Sequence, residues 1–187
     1  MLFRSLLLAG VPITLATLAD VPAVEPPEET GATFAENARL KARYYARMTG
    51  WLVVAEDSGL EIDAMDGAPG IHSARFGGEG STYGHKFQLI AAALANVPDR
   101  SRSARFVCAL AVAHGDHLLF ESRGTVEGEI VPVPRGKGGF GYDPIFYYPP
   151  FGCTLAEASE RKAEVSHRAR AFRRLEEWFV NGTPPGL

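Results

Sequence analysis

Short runs of apolar, β-forming residues alternate with segments of helical spacing, and this alternation constrains the fold more than any other feature. Residues 51–55 and 106–113 are apolar runs of the kind found in buried strands. Residues 34–45 carry aromatic and alanine side chains at helical spacing, and residues 86–95 return to a helical pattern. Because strands and helices interleave and a hairpin is inserted, we predict an α/β fold, bordering on α+β, with a mixed sheet.

Composition and charge limit the class of protein. The 187 residues fit one domain, 1–187, and 46% are hydrophobic against 22% charged, so the chain is not disordered as a whole. The net charge of −3 excludes a generally basic, nucleic-acid-coating surface. Two cysteines, Cys108 and Cys153, are too few for a disulfide framework, which suits a reducing compartment.

The N-terminal residues have two interpretations. Residues 5–19 form an apolar run behind an arginine, as in a secretory signal, but Pro12 interrupts the run and it ends without a clean cleavage site. It is also shorter than the ~20 apolar residues that span a membrane. We favour the second interpretation, in which residues 2–9 end a helix, Gly10 caps it and residues 11–18 form a strand.

The remaining elements are predicted from turn and capping signals. Thr33 and Glu36 have the spacing of a capping box, in which the hydroxyl and the carboxylate satisfy each other's backbone donors, and Gly50 ends that helix. The other predicted elements are hairpin strands over residues 106–113 and 118–122, an extended segment over residues 126–133 and a helix over residues 154–180.

An acidic turn is the first candidate for chemistry. The first predicted strand ends in Glu56-Asp57-Ser58-Gly59, and a second strand comes next, over residues 60–64. Carboxylates at the carboxyl end of a strand lie where open α/β sheets bind ligands. They suit Mg²⁺, which is usually held by one or two carboxylates plus substrate phosphates, and an aspartate beside the metal can orient or deprotonate a water. A solvated acidic turn is the alternative.

The first helix carries three further polar candidates. The capping box already explains Glu36. Asn37 and Lys41 lie four residues apart on one helix face, where a phosphate or plain solvation explains them equally well.

A glycine-rich segment is a candidate for nucleoside binding. Residues 136–141 contain four glycines, which let backbone amides approach a ligand, and Phe140 and Tyr142 offer flat apolar faces for a base. The segment lacks the Gly-Lys-Ser/Thr ending of a phosphate-binding Walker A loop. A plain glycine-rich turn is the alternative.

The last candidate is a basic segment that starts near residue 161. Ser166 can cap a helix whose positive N-terminal end, with Lys162 and Arg168 nearby, attracts anionic or carbonyl-bearing groups. A solvated cationic face is the alternative, and a lone histidine such as His167 is usually structural.

Five segments together resemble one family. They are Thr33-Phe34-Ala35-Glu36-Asn37-Ala38 with Lys41-Ala42, Ala55-Glu56-Asp57-Ser58-Gly59-Leu60, Pro69-Gly70 with Ser73-Ala74-Arg75-Phe76, Gly138-Gly139-Phe140-Gly141-Tyr142-Asp143-Pro144, and Ser166-His167-Arg168. Their order and spacing resemble the inosine/xanthosine triphosphate pyrophosphatases, which remove deaminated purine nucleotides from the nucleotide pool. The resemblance runs from about residue 28 to residue 180. Each motif alone is weak, but five in series make a chance match a poor explanation.

The resemblance implies roles for individual residues. Asp57 matches the family's proton acceptor and Mg²⁺ ligand, with Glu36 as a second acidic group near the metal. The residues implied to bind substrate are Ser58, Phe140, Gly141, Tyr142, Asp143, Lys162, His167 and Arg168. Of these, Phe140 is expected to stack on the purine, and the last three to surround the base and its 6-keto oxygen. Asn37, Lys41 and Arg75 are candidates for phosphate binding or for a structural role.

The resemblance also implies a fold, an activity and a setting. The fold is an elongated mixed sheet with flanking helices and two lobes around a central cleft, usually in a homodimer. The activity is hydrolysis of inosine, deoxyinosine and xanthosine triphosphates to the monophosphate and pyrophosphate, with Mg²⁺ as cofactor. The implied location is the cytoplasm, with a nucleoside triphosphate as substrate and neither nucleic acid nor membrane as partner.

The sequence departs from the family at its start. Relatives begin with a strand that leads into a Ser/Thr-Gly-Asn-x-x-Lys loop gripping the triphosphate, whereas here no lysine precedes Lys41 and no asparagine precedes Asn37. Residues 2–18 match the helix and strand that come after that loop in relatives, so we expect this chain to begin at an internal start. If it is whole, we expect weak turnover. The alternative functions are nucleotide binding without catalysis and, less favoured, hydrolysis of modified pyrimidine nucleotides.

Overall fold

The computed structural model describes residues 11, 13–21 and 23–182, and within that part the chain contains both helices and strands, as predicted. The helices are α1 (Phe34–Thr49), α2 (Tyr83–Ala93), α3 (Lys162–Val165) and α4 (His167–Gly182), and the strands are β1 (Leu52–Ile62), β2 (Ser103–His114), β3 (His117–Ile130), β4 (Phe146–Tyr148) and β5 (Cys153–Thr154). The strands form one sheet in chain order, with β4 antiparallel to both β3 and β5. The predicted α/β class is confirmed.

Helix α1 begins at the predicted capping box. The Glu36 backbone N–H donates to Thr33 Oγ1 at 3.1 Å, and the Thr33 backbone N–H donates to Glu36 Oε2 at 3.2 Å. One face of the helix is buried, formed by Phe34, Asn37, Ala38, Ala42 and Ala46. Buried residues at this three-to-four spacing pack the helix against the rest of the chain, and Gly50 ends it.

Strand β1 runs without a break through the segment that we predicted to be an acidic turn. Residues 56–59 all lie inside Leu52–Ile62, so the two short predicted strands are one strand and the turn is wrong. Gly59 permits a close approach instead: a Cβ there would lie 2.6 Å from the Gly70 carbonyl oxygen and would also collide with Ser73. Because neighbouring side chains of a strand point to opposite faces, Glu56 and Asp57 face opposite sides of the sheet.

The predicted hairpin is confirmed, but the predicted helix over residues 154–180 is only partly correct. Strands β2 and β3 are joined by a two-residue turn, and β3 also includes much of the extended segment predicted over residues 126–133. At Thr154 the backbone N–H donates to Glu157 Oε2 at 2.8 Å and the hydroxyl donates to the Arg135 carbonyl at 2.9 Å. These bonds compete with helix formation, so the chain turns until α3 and α4 begin.

The strand predicted over residues 11–18 does not form in the described part of that range. Instead, the Thr17 hydroxyl and backbone N–H both donate to Asp20 Oδ2 at 2.8 Å, which closes a turn. A strand needs a hydrogen-bonded neighbour, and no described segment pairs with these residues. The helix end predicted over residues 2–9 and its cap at Gly10 lie outside the described residues.

The chain divides into two compact units, each with its own core. Unit 1 comprises Met1–Asp57, Cys108–Gly124 and Arg168–Leu187, and unit 2 comprises Ser58–Val107 and Thr125–His167. The core of unit 1 includes Val11, Cys108, Leu110, Val112, Ala171, Phe172 and Leu175, and that of unit 2 includes Leu60, Ile62, Ile90, Val126, Ile145, Phe146 and Leu155. Across the described residues, no helix combines the length and the apolar character needed to cross a membrane.

Candidate active site

Asp57 lies in a charged group of unit 1, here called the Asp57 cluster, with Lys41, Glu29 and Asn37. The Lys41 ammonium donates to Asp57 Oδ1 and to Glu29 Oε1, each at 2.9 Å. The Asn37 amide donates to Asp57 Oδ2 at 3.3 Å. Asn37 and Lys41 lie one helical turn apart on α1, so the helix presents both of them to the same carboxylate. Two residues that the sequence marked as phosphate-binding or structural therefore hold the predicted catalytic aspartate.

The electrostatics of the Asp57 cluster keep Lys41 charged. Burial lowers the pKa of Lys41, but the hydrogen bonds and charges of Asp57 and Glu29 outweigh it, so the pKa lies above its usual value. One lysine between two carboxylates leaves the cluster with one net negative charge. Sequence reasoning missed Glu29, because it is one of several glutamates in the loop before α1 and no spacing singles it out.

Glu36 caps the first helix, and its place near a metal stays a prediction. Its Oε2 accepts hydrogen bonds from the backbone N–H groups of Ala32 at 2.7 Å and Thr33 at 3.2 Å, so this carboxylate caps α1. Among the described residues, no three His, Cys, Asp or Glu side chains are grouped so that they could hold a metal. Mg²⁺ is usually held by one or two carboxylates together with substrate phosphates, and Asp57 fits that arrangement.

Phe140, Asp143 and Lys162 form a second group, here called the Phe140 cluster, in unit 2. The Lys162 ammonium lies 3.8 Å from the centre of the Phe140 ring and 2.5 Å from Asp143 Oδ2. The Phe140 backbone N–H donates to the same oxygen at 2.8 Å. Asp143 is fully buried, whereas Phe140 is 61% exposed. An aromatic ring that is held in place yet left accessible is suited to stack on a flat ligand.

Tyr142 contributes to the core rather than a stacking face. Its ring is buried and packs edge-on against Tyr83, with 5.4 Å between the ring centres. Its hydroxyl donates to the Ser73 carbonyl at 2.8 Å, and burial raises the pKa of this phenol above its usual value. The expectation that the Tyr142 ring offers a face for a base is therefore wrong.

The other predicted residues lie in three places. His167 is buried and stacks on Phe106, with ring centres 5.1 Å apart, which is compatible with a structural role; its contact with the base stays a prediction. Ser58 comes directly after Asp57 in β1 and is partly buried, and Arg75 is exposed two residues beyond the buried Ser73. The structure thus groups Asp57 with Lys41 and Asn37, and Phe140 with Asp143 and Lys162.

Arg168 belongs to a third group, which it forms with Glu56 and Cys108 in unit 1. Its Nε donates to Glu56 Oε1 at 2.9 Å, and the Cys108 thiol donates to Glu56 Oε2 at 3.3 Å. The sequence singled out Arg168 but assigned no partner to it. The acidic residues at positions 56 and 57 indicated that a cation lies nearby, but the sequence pattern does not show which carboxylate pairs with which cation.

Comparison with known proteins identifies the family. The Ham1 family model matches residues 3–178. A dITP/XTP pyrophosphatase from Thermus thermophilus is 47% identical over 179 residues, which cover 95% of this chain and 86% of that protein. A dITP/XTP pyrophosphatase from Listeria monocytogenes is 47% identical over 169 residues, which cover 90% of this chain and 83% of that protein.

Solved structures agree with the sequence match. A HAM1 protein from Coxiella burnetii superimposes with a TM-score of 0.86 at 39% identity, covering 96% of this chain and 92% of that one. A nucleoside-triphosphatase (dITP/XTP pyrophosphatase) from Mycobacterium abscessus gives a TM-score of 0.77 at 40% identity, and the match covers 89% of this chain and 88% of that one. With both the sequence and the fold matched over most of its length, the chain belongs to the Ham1 family.

Proposed function

We propose that the protein hydrolyses non-standard purine nucleoside triphosphates, namely inosine, deoxyinosine and xanthosine triphosphates, to the monophosphate and pyrophosphate. Two relatives named dITP/XTP pyrophosphatase are each 47% identical to this chain, and the match covers 86% and 83% of their lengths. The observation that carries the proposal is the Asp57 cluster, in which a poorly exposed carboxylate is held from two sides by Lys41 and Asn37.

The Asp57 cluster supplies the groups that phosphate chemistry needs. Asp57 accepts a proton from the attacking water or orients it, because its carboxylate is held in one position before substrate arrives. Lys41 remains protonated and can exchange a carboxylate oxygen for a phosphate oxygen, which neutralises part of the triphosphate charge. Asp57 would hold Mg²⁺ together with the phosphates, and the bound ion would neutralise part of the charge on the pyrophosphate group.

The family resemblance assigns selection of the base to Phe140, Lys162 and Arg168. The exposed Phe140 ring stacks on the purine, while Lys162 and Arg168 carry only hydrogen-bond donors. Hypoxanthine and xanthine present an acceptor oxygen at position 6, whereas adenine presents an amino group that leaves those donors unpaired. A site built on such bonds discriminates by about 10⁴–10⁵-fold.

Pyrophosphate release tests the proposal. Release is measured from inosine, adenosine and modified pyrimidine triphosphates with Mg²⁺, for the wild type, for Asp57→Asn and for Asp116→Asn, a control in the exposed β2–β3 turn. We expect release from inosine triphosphate, a loss of about 10²–10⁴-fold in Asp57→Asn and none in the control. Release that survives Asp57→Asn contradicts the mechanism. Binding of inosine triphosphate without release favours a nucleotide-binding protein, and preference for the pyrimidine refutes the substrate class.

A further inference from the structure

Glu56 takes no part in the chemistry proposed above, although its carboxylate is almost buried. The side chain is 6% exposed, and glutamate is seldom so buried unless it is paired. Its neighbour Asp57 points to the opposite face of β1, so Glu56 belongs to a different set of contacts. A buried carboxylate beside a catalytic residue therefore requires an explanation of its own.

Two different residues hold the two oxygens of Glu56. Oε1 accepts from Arg168 Nε at 2.9 Å, and Oε2 accepts from the Cys108 thiol at 3.3 Å. Cys108 comes from β2 and is completely buried, and Arg168 is in the first turn of α4. Because Cys108 on β2 fixes the orientation of the Glu56 carboxylate, this carboxylate restricts the position of Arg168 on α4 more than a mobile surface carboxylate would.

The atom at which Glu56 binds Arg168 matters for recognition. Nε lies on the stem side of the guanidinium, away from the end formed by its two terminal nitrogens. A charge-assisted bond at Nε sets the plane and direction of the whole rigid group, because the guanidinium is planar. Ordering the arginine before the ligand arrives removes part of the entropy cost of binding.

We propose that Glu56 is a positioning residue that aims the Arg168 guanidinium at the 6-keto oxygen of the purine, with the Cys108 thiol fixing the orientation of the Glu56 carboxylate. The inference rests on the proposed function, in which Arg168 contacts the base. It assigns to Glu56, the first member of the acidic pair, a role in selecting the base rather than in cleaving the phosphate.

The test compares Glu56→Gln with a matched control. Glu121 on β3 also accepts from an arginine Nε, that of Arg39 at 2.6 Å, and from Arg39 Nη2 at 3.3 Å. Both side chains are substantially exposed, so Glu121→Gln removes a carboxylate charge from an arginine pair outside the site. For each variant, kcat and KM are measured with inosine and adenosine triphosphates. Calorimetry measures the binding of inosine and adenosine monophosphates, a readout that does not depend on turnover.

We expect Glu56→Gln to raise KM for inosine triphosphate about tenfold and to lower the inosine-to-adenosine ratio of kcat/KM by at least as much, with kcat within about threefold. Inosine monophosphate should bind correspondingly more weakly, and Glu121→Gln should match the wild type. In an Arg168→Gln background, Glu56→Gln should change KM no further, because the two residues act as one unit. Cys108→Ala should shift the ratio in the same direction by a smaller factor.

Three results separate the outcomes. A Glu56→Gln protein that is less stable but keeps the wild-type KM and substrate ratio has lost a structural ion pair only, and the inference is refuted. Equal losses with both nucleotides refute it as well. If Glu56→Gln does not fold, Glu56→Asp is used instead, because it keeps the charge but moves the carboxylate away from Arg168 by one methylene. The inosine-to-adenosine ratio of kcat/KM is then measured for that variant. A wild type that neither hydrolyses inosine triphosphate nor prefers inosine monophosphate refutes the proposed function itself.

Discussion

Replacing Lys162 with methionine should destabilise the protein strongly, because it leaves a buried charge without its partner. Asp143 is completely buried, and the Lys162 side chain is only 12% exposed. Asp143 Oδ2 binds Lys162 and the Phe140 backbone, while within the described residues Oδ1 has no hydrogen-bond partner. Lys162→Met therefore leaves this carboxylate with a single backbone donor.

The expected cost is set by the burial of the pair. Breaking a buried ion pair by removing one partner typically costs about 3–5 kcal/mol, against a total stability of about 5–15 kcal/mol. For a chain of this length, 1 kcal/mol corresponds to about 2–4 °C, so a loss of about 3 kcal/mol lowers Tm by about 6–12 °C. Urea denaturation gives the free energy of unfolding, and a thermal melt gives Tm.

Two controls make the assay decisive. Lys137→Met changes an exposed lysine in the same glycine-rich segment and should alter the free energy of unfolding by no more than about 0.5 kcal/mol. The double variant Lys162→Met/Asp143→Asn removes both charges and should recover at least about 1 kcal/mol relative to Lys162→Met alone. A Lys162→Met protein that unfolds at the wild-type urea concentration refutes the argument that this pair is buried and coupled.

The close contacts and ion pairs of the structure lead to three further predictions. Gly59→Ala should cost about 1–3 kcal/mol in urea denaturation because its Cβ meets backbone, whereas Gly84→Ala, in an open position inside α2, should stabilise by about 0.5–1 kcal/mol; equal effects would contradict the packing argument. Lys41→Met should lower kcat/KM for inosine triphosphate by about 10²–10³-fold, since it removes a cation that the phosphates require; unchanged kinetics would exclude it from phosphate binding. The hydrogen bond from Arg105 lowers the pKa of Asp63, so this carboxylate stabilises the folded state above its usual pKa of 3.8 and loses that contribution as the pH falls through its lowered value. Asp63→Asn should therefore lower the free energy of unfolding at pH 6 by less than about 1 kcal/mol, and this loss should shrink as the pH falls below 3.8; a loss that does not change with pH would contradict the charge argument.

The errors at the sequence level have one kind of cause. Ser58-Gly59 signals a turn when it is considered locally, but β1 continues through it because another part of the chain packs against Gly59. Likewise, the helix predicted over residues 154–180 does not begin at Thr154, whose hydroxyl donates to the Arg135 carbonyl 19 positions away. In both places a contact outside the short window of sequence outweighed the local preference.

Some properties of this protein could be read from its sequence alone, because their causes act within a few residues. The start of α1 needs only Thr33 and Glu36, three positions apart, and the α/β class needs only the spacing of apolar side chains. The ordered motifs also pointed to the family. Only the tertiary structure decided which charges meet: Asp57 binds Lys41 from 16 positions away, and Glu56 binds Arg168 across 112 positions. Such pairings depend on how the sheet brings distant segments together, and a charged residue by itself carries no information about its partner.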